Sequence, residues 1–238
     1  WCNWRASGRP GGGCPVSTDS TLLVELHTEE LPPKALRRLS EAFAETLARG
    51  LGTVGFLAPS STATPYATPR RLAVSVTHVL GRSPDQPFKQ KVLPVAVAFG
   101  ADGRPTAALR KKLASLGLPE SAVATMTREP DGKAESLFHT GVKPGMPLAE
   151  GLQAALEVAI AALPIPKVMS YSPPGAYWNV EKFVRPAHRL VALHGADVVP
   201  VEALGLSAGR TTGGHRFLGR RDVDIATADA YAPALEAE

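Results

Sequence analysis

The sequence predicts an α+β fold, with mostly antiparallel sheets packed against helices and a β-α-β-β start. Residues 21–27 (TLLVELH) form a compact apolar run that is typical of a strand. An apolar stripe with helical spacing follows, at Leu36, Leu39, Phe43 and Leu47. Residues 71–79 (RLAVSVTHV) alternate in the manner of a strand, and residues 63–67 are a candidate strand before them. Together these patterns give the β-α-β-β order.

The first helix has candidate start and stop residues. Thr28, Glu29 and Glu30 are predicted to cap its beginning, because threonine suits an N-cap and carboxylates favour the positive end of the helix dipole. Gly50 or Gly52 is predicted to end it. A short strand is predicted at 53–57.

The middle of the chain mixes further helices and strands. Residues 81–91 are polar and are predicted to form a loop, near which the chain could divide into two lobes. The following predictions are an extended segment at 92–99, a basic helix at 106–116, strands at 120–127 and 135–142, a helix at 147–162 and a loop at 172–178.

Composition suggests the domain limits. Residues 1–20 are rich in Gly, Pro and Ser and are predicted to be a disordered or non-native tail. Residues 21–222 are predicted to form the α+β region. Residues 223–238 are rich in alanine and acidic residues, and they predict the start of a helical segment without a stop signal.

Several protein classes are disfavoured by composition. The 238 residues are 44% hydrophobic, which is enough for a sizeable core. The two cysteines, Cys2 and Cys14, both lie in the opening segment, so a disulfide or cysteine-based metal site in the core is not expected. No apolar run reaches the length of a membrane span. A cytoplasmic protein is therefore predicted.

The positive charge is concentrated in one region. Residues 181–221 hold seven Lys and Arg against three Asp and Glu, a net charge of +4 that equals the charge of the whole chain. Within this region, residues 190–206 predict a β-meander between two basic, glycine-containing edges. Such a patch suits a phosphate-bearing partner.

Candidate nucleic-acid contacts are guanidinium, imidazole or hydroxyl groups at strand starts and glycine-rich turns. They are Arg70, Arg71, Arg185, His188, Arg210, Thr211, Thr212, His215 and Arg216. Because Arg70 and Arg71 are adjacent, one is expected to face solvent or a partner. The other is expected to pack its apolar stem or to pair with a carboxylate such as Glu29 or Glu30. The alternative for residues 209–217 is a solvated hairpin tip. Phe217 is expected in the core, or else stacked on a base.

No catalytic residue or metal ligand is predicted. The sequence lacks the P-loop, dinucleotide-binding, zinc-protease and nucleophile-elbow motifs. His27, Glu29 and Glu30 could superficially supply metal ligands, but a strand end followed by acidic capping residues is the favoured interpretation.

Six segments, in this order, resemble the β subunit of bacterial heterotetrameric glycyl-tRNA synthetase. They are LLVE with TEELPPKAL within 22–36, YATPRRLAV at 66–74, AF with DGRPT within 98–106, LPIPKVM at 163–169, FVRPAHRLVAL at 183–193 and GRTTGGHRF at 209–217. Two departures from the family pattern are His27, where glycine is usual, and Gly213, where Arg or His is more usual.

The resemblance implies an α2β2 enzyme that joins glycine to tRNA(Gly) at the expense of ATP. It places ATP and Mg at the α subunit, with no cofactor in this chain, and gives the β subunit the role of binding tRNA. This chain would be the N-terminal third of β, inactive alone, with the α subunit and tRNA(Gly) as partners. Two alternatives remain open: a docking module for α without RNA contact, and an editing-type deacylase domain.

Overall fold

The computed structural model describes residues 19–100, 104–131, 134–172 and 180–238. Residues 19–83 with 146–238 form one compact unit, and residues 84–145 form another. The helices and strands are, in chain order, β1 (Asp19–Thr28), α1 (Leu36–Val54), β2 (Ala63–Thr68), β3 (Arg71–Leu80), β4 (Gln86–Pro94), α2 (Val95–Ala98), α3 (Ala107–Ser115), β5 (Thr127–Asp131), β6 (Ala134–Lys143), α4 (Leu148–Ala161), β7 (Met169–Tyr171), β8 (Glu181–Phe183), β9 (Ala187–His194), β10 (Asp197–Val198), β11 (Glu202–Ala203), β12 (Leu206–Gly209), β13 (Thr211–Thr212), β14 (Val223–Asp224) and α5 (Tyr231–Glu236).

The main sheet of the first unit has the strand order β11-β12-β9-β1-β3-β2, with β10 also paired to β9. β1 lies between β3 and β9, so that Val24 is opposite both Val74 and Ala192. All of these pairings are antiparallel except that of β12 with β9. The predicted α+β class and its β-α-β-β start are confirmed.

The two faces of this sheet bury different partners, because side chains alternate along a strand. Leu22, Val24 and Leu26 of β1 share one core with α1 and α4. Leu23 shares the other core with Ala73, Val191, Val223, Ile225, Ala228 and Tyr231. The segment after residue 222 therefore covers the second face of the sheet, and its helical part begins with a 3-10 turn at Ala228–Ala230.

Helix α1 confirms the predicted apolar stripe, since Leu39, Phe43 and Leu47 are buried. Its predicted limits are wrong. The helix begins at Leu36 after Ala35, and Thr28 is instead the last residue of β1.

Thr28, Glu29 and Glu30 therefore do not cap α1, because backbone hydrogen bonds hold this segment against other strands. The Glu29 amide donates to the Pro186 carbonyl over 2.9 Å. At its other end the helix continues past Gly50 and Gly52, and also through part of the strand predicted at 53–57. It ends at Gly55, whose φ of 87° is the left-handed conformation typical of a helix stop.

The second unit contains a three-stranded antiparallel sheet in the order β4-β6-β5. Val92, Leu137, Leu109 and Leu113 are among its buried core residues. The predicted basic helix is confirmed as α3, and the Thr106 hydroxyl caps it by accepting from the Leu109 amide.

Three predictions in this unit are wrong. A polar loop is predicted at 81–91, but strand β4 begins at Gln86. The first six residues of β4 are exposed, so they show no apolar pattern. The extended segment at 92–99 becomes helix α2 after Pro94, and the strand at 120–127 is mostly the 3-10 helix Glu120–Thr125.

At the start of the chain, the predicted tail is wrong for its last two residues, because Asp19 and Ser20 belong to β1. The rest of that tail, and most of the loop predicted at 172–178, lie outside the described residues. Within the described ranges, no helix is long and apolar enough to span a membrane.

Candidate nucleic-acid interface

Three chain segments of the first unit meet beyond the end of β1. They are the turn after β1 with Glu29 and Glu30, the β2–β3 turn with Arg70, and residues 213–222, which connect β13 to β14 and are called the 213–222 loop below. The Thr28 amide donates to the Arg70 carbonyl over 2.9 Å, and Arg216 of the loop lies 3.6 Å from a Glu30 carboxylate oxygen. Several of the predicted contact residues are therefore neighbours in space.

A buried polar network lies beneath this region. The side chain of Glu25 in β1 is fully buried, and its Oε2 lies 3.6 Å from Nε of Arg71, which is 8% exposed. Glu25 also accepts hydrogen bonds from the Thr212 and Tyr231 hydroxyls. Arg71 in turn donates from Nη2 to the Gly213 carbonyl. Arg71 and Thr212 thus stabilise the interior of the fold.

Tyr231 is held in its protonated form. Burial, followed by the negative charge of Glu25, raises the pKa of the Tyr231 hydroxyl above its usual value. The hydroxyl therefore remains a donor to Glu25. Tyr231 and Glu25 are 206 residues apart in the chain, so the network ties the C-terminal segment to the first strand.

Glu29 connects two of the predicted contact residues. Its Oε1 lies 3.4 Å from Nη2 of Arg70 and 3.0 Å from Nε2 of His188. Burial acts to raise the pKa of Glu29, but the hydrogen bond with His188 and the charges of Arg70, His188 and Arg216 outweigh it and lower the pKa. Arg70 and Arg71 therefore both pair with carboxylates, although the sequence predicted only one such pair.

Three other predicted contact residues form hydrogen bonds with backbone or side-chain groups of the same unit. Arg185 donates from Nε to the Glu30 carbonyl over 3.0 Å. Arg210 donates to the carbonyls of Ala196 and Ala226, and the Thr211 hydroxyl donates to Asp224. Arg210 and Thr211 thus fasten the C-terminal segment to the sheet.

The tip of the 213–222 loop is exposed. Phe217 is 81% exposed and Leu218 is 86% exposed. His215 Nδ1 accepts from the amides of both residues, at 3.3 and 3.2 Å, and the Arg216 guanidinium lies 5.5 Å from the centre of the Phe217 ring. The expected core position of Phe217 is wrong, because backbone bonds such as Gly219 to His215 close a tight turn that projects it outward.

Two arginines outside the predicted contact set also belong to this loop. Arg220 and Arg221 are both exposed, and Arg220 donates from Nε to the Glu238 carboxylate over 2.6 Å. The signal that could have found them is the Arg-Arg pair directly after Gly219, within the most basic part of the chain.

A cavity of about 530 Å³ opens beside the loop. It is lined by side chains of the β2–β3 turn, the loop and α5, among them Tyr66, Arg70, Arg216, Phe217, Tyr231 and Leu235. A wider cleft next to it contains Glu29, Glu30, Arg185 and Arg216. In the part of the chain that the structure describes, no group of three or more His, Cys, Asp or Glu residues is placed to hold a metal ion.

His27 lies in the wall of this cavity and is neutral at pH 7. Burial, then the positive charges of Arg71 and Arg70, lowers the pKa of its imidazole from 6.5 to about 4. In the unfolded chain the same group titrates near 6.5. Between these two values the unfolded state therefore binds a proton that the folded state does not.

We expect the contribution of His27 to the free energy of unfolding to be most favourable above pH 6.5. It should fall as the pH drops towards 4. Urea unfolding of the wild-type chain and of His27→Gln at pH 7.5 and pH 4.5 measures this effect. The loss of unfolding free energy between the two pH values should be smaller in the variant. An identical loss in both proteins would show that His27 does not carry this dependence.

Comparison with known proteins places the chain in a family. A family model described as "Glycyl-tRNA synthetase beta subunit" matches residues 22–238. The chain belongs to this family. The resemblance seen in the sequence is thereby confirmed.

Curated relatives support the same assignment. The chain is 54% identical over 218 residues to the glycine–tRNA ligase beta subunit of Janthinobacterium sp. (strain Marseille), covering 91% of this chain and 31% of that protein. It is 55% identical to the beta subunit of Leptothrix cholodnii, covering 91% and 30%, and 53% identical to that of Ralstonia nicotianae, covering 92% and 32%. The chain spans about a third of the length of these relatives.

Proposed function

We propose that this chain is the N-terminal part of a β subunit in a cytoplasmic α2β2 glycine–tRNA ligase. In this proposal it supports the ATP-dependent attachment of glycine to tRNA(Gly) by binding tRNA and by helping to assemble with the α subunit. ATP, Mg and the chemical step belong to the α subunit. Family membership supports the enzyme class, and the 213–222 loop supports the binding role.

The observation that carries RNA binding is the exposed tip of the 213–222 loop. Arg216, Arg220 and Arg221 of this loop are exposed, and Phe217 and Leu218 lie between them in the sequence with side chains that point into solvent. Guanidinium groups bind phosphates, and exposed aromatic rings stack on bases. A tip with both groups suits RNA better than a free anion.

The structure changes which residues are proposed to touch RNA. Arg71 and Thr212 are buried in the Glu25 network, and Arg210 and Thr211 hold the C-terminal segment. The proposed contacts therefore become His215 and Arg216 with Arg220 and Arg221. Arg70, Arg185 and His188 border them, with their side chains already engaged by Glu29 or Glu30.

A second candidate function is docking of the α subunit without RNA contact. The carboxylates of Glu30 and Glu238 pair with Arg216 and Arg220, which reduces the positive charge offered to a polyanion. Exposed Phe217 and Leu218 would also suit a protein interface, where aromatic residues and arginine are enriched.

Filter binding of tRNA(Gly) to the full chain separates the two functions. Arg216→Ala combined with Arg221→Ala should weaken binding and reduce the log–log salt slope by about 0.7–0.9 for each phosphate that is no longer neutralised. Arg37→Ala is the matched control, because Arg37 is an exposed arginine on α1 that pairs with Glu41. Its salt slope should equal that of the wild type.

The same variants should be tested for capture of the α subunit. Retained capture together with weakened tRNA binding supports the RNA interface. Lost capture with unchanged tRNA binding would assign the loop to α docking. If the wild-type chain binds no tRNA at low salt, RNA binding by this region is excluded.

A further inference from the structure

We infer that the cavity beside the 213–222 loop is a subsite for one unpaired nucleotide of RNA, whose base stacks on Phe217. This inference rests on the proposed RNA binding and specifies what the interface recognises. In this inference the arginines of the loop bind any RNA backbone, and the cavity selects unpaired bases.

The walls of the cavity suit a flat, mostly apolar group. Tyr66, Ala67 and Pro69 come from β2 and the turn that follows it, and Ala232 and Leu235 come from α5. The rings of Tyr66 and Tyr231 meet edge to face, with their centres 5.6 Å apart. The volume of about 530 Å³ lies in the range of about 300–1,000 Å³ that is typical of sites for small ligands.

Phe217 provides the stacking surface. It lines the cavity, yet it is 81% exposed, so most of its ring is available to a ligand. A core role does not explain this aromatic side chain, since most of it is exposed to solvent. Proteins that bind single-stranded nucleic acid stack bases on exposed aromatic rings of this kind.

The charged groups on the rim match a nucleotide rather than an apolar ligand. Arg70 and Arg216 line the cavity, and their side chains are 25% and 50% exposed. The more exposed Arg216 guanidinium can bind the phosphate of the inserted nucleotide. Glu236 on the same wall is a carboxylate that can accept from the exocyclic amino group of a base.

The shape of the site selects against base-paired RNA. A paired base is stacked on both sides and presents only its edge in a groove, whereas an unpaired base can be splayed out and inserted. Phe217 offers its exposed ring as a stacking surface for one such base. The subsite should therefore discriminate an RNA end or bulge from a duplex.

Fluorescence anisotropy of two RNA hairpins tests this subsite with the full chain. One hairpin is blunt, and the other carries a single-stranded 3′ extension of four nucleotides. Phe217→Ala should weaken binding of the extended hairpin by about 5- to 150-fold and leave the blunt hairpin unchanged. Leu218→Ala is the matched control, because Leu218 is equally exposed but does not line the cavity.

A second variant blocks the cavity without removing the aromatic ring. Ala232→Phe places a large side chain in the wall, and it should reduce binding of the extended hairpin to the level of Phe217→Ala. Circular dichroism checks that both variants are folded. If Ala232→Phe binds the extended hairpin as tightly as the wild type does, the inference is overturned.

The remaining outcomes distinguish this inference from the proposed function. If the wild type binds neither hairpin at low salt, RNA binding itself fails. If it binds both hairpins equally and Phe217→Ala changes neither, only the nucleotide subsite fails. Tighter binding of free AMP than of the extended hairpin would replace RNA with a free nucleotide. Loss of α-subunit capture in Phe217→Ala, with RNA binding unchanged, would assign the cavity to a protein side chain.

Discussion

Arg71→Met is expected to lower the free energy of unfolding by about 3–5 kcal/mol, because it leaves a buried carboxylate without its cation. Glu25 is fully buried, and Arg71 is the guanidinium beside it. The two hydroxyl donors, from Thr212 and Tyr231, would remain, but they cannot neutralise the charge. Methionine keeps most of the apolar stem, so the change isolates the loss of the guanidinium. Urea unfolding followed by circular dichroism measures it.

A double variant distinguishes the charge from the packing. Glu25→Gln combined with Arg71→Met removes the buried negative charge as well, so it should be more stable than Arg71→Met alone. Arg37→Met controls for loss of an arginine, because Arg37 is exposed and its pairing with Glu41 on a helix surface contributes little. Additive destabilisation in the double variant would show that Glu25 and Arg71 act independently.

The same network positions the candidate interface. Arg71 donates to the carbonyl of Gly213, the residue at which the 213–222 loop leaves the sheet. Arg189 donates from Nη1 to the Thr212 carbonyl over 2.9 Å and pairs with Asp222 at the other end of the loop. The loop is thus anchored at both ends while its tip stays exposed. Weakening the network should affect the interface by displacing the loop, since Glu25, Arg71 and Thr212 are not proposed to touch RNA.

Local periodicity explains which parts of the fold can be predicted from the sequence. Strands β1 and β3, the stripe of α1 and the helix α4 carry clear apolar patterns, and the predictions for them lie close to the observed elements. Strand β4 carries none, because residues 86–91 are exposed on both sides and are specified by pairing with β6. Pairing between distant strands does not alter the spacing of apolar residues, so it cannot be predicted from that spacing.

The Glu25 network shows why the candidate site is harder to predict. Leu23, Glu25 and His27 share one face of β1, and two of these three residues are polar, so the sequence alone does not indicate that this face is buried. That face is covered by residues about 200 positions later, including Val223 and Tyr231. A sequence pattern indicates that a residue faces away from one core, but it does not indicate a second core.

His27 and Gly213 are neighbours in space. A Cβ atom added at Gly213 would lie 3.1 Å from Nε2 of His27, which is closer than side chains usually pack. The His27 imidazole therefore occupies space that a side chain at position 213 would need. This proximity of β1 to the 213–222 loop could not be predicted from the sequence.

Gly151→Ala is expected to lower the free energy of unfolding by about 1–3 kcal/mol, the usual range for overpacking. A Cβ atom at this position of α4 would overlap the ring of Phe56, with Cζ only 2.7 Å away, and Phe56 is fully buried. The ring cannot move outward without leaving the core it shares with α1 and β3. Chemical unfolding of the variant and of the wild type measures the loss.

Gly52→Ala is the matched control, and it should change stability in the opposite direction. A Cβ atom there would lie 3.7 Å from Leu57, an ordinary contact, and alanine is favoured over glycine within a helix by about 0.4–1 kcal/mol. If Gly151→Ala has the same free energy of unfolding as the wild type, Phe56 has room to move. The contrast matters because α1 and α4 form the layer that supports the sheet, and therefore β1 and the interface at its end.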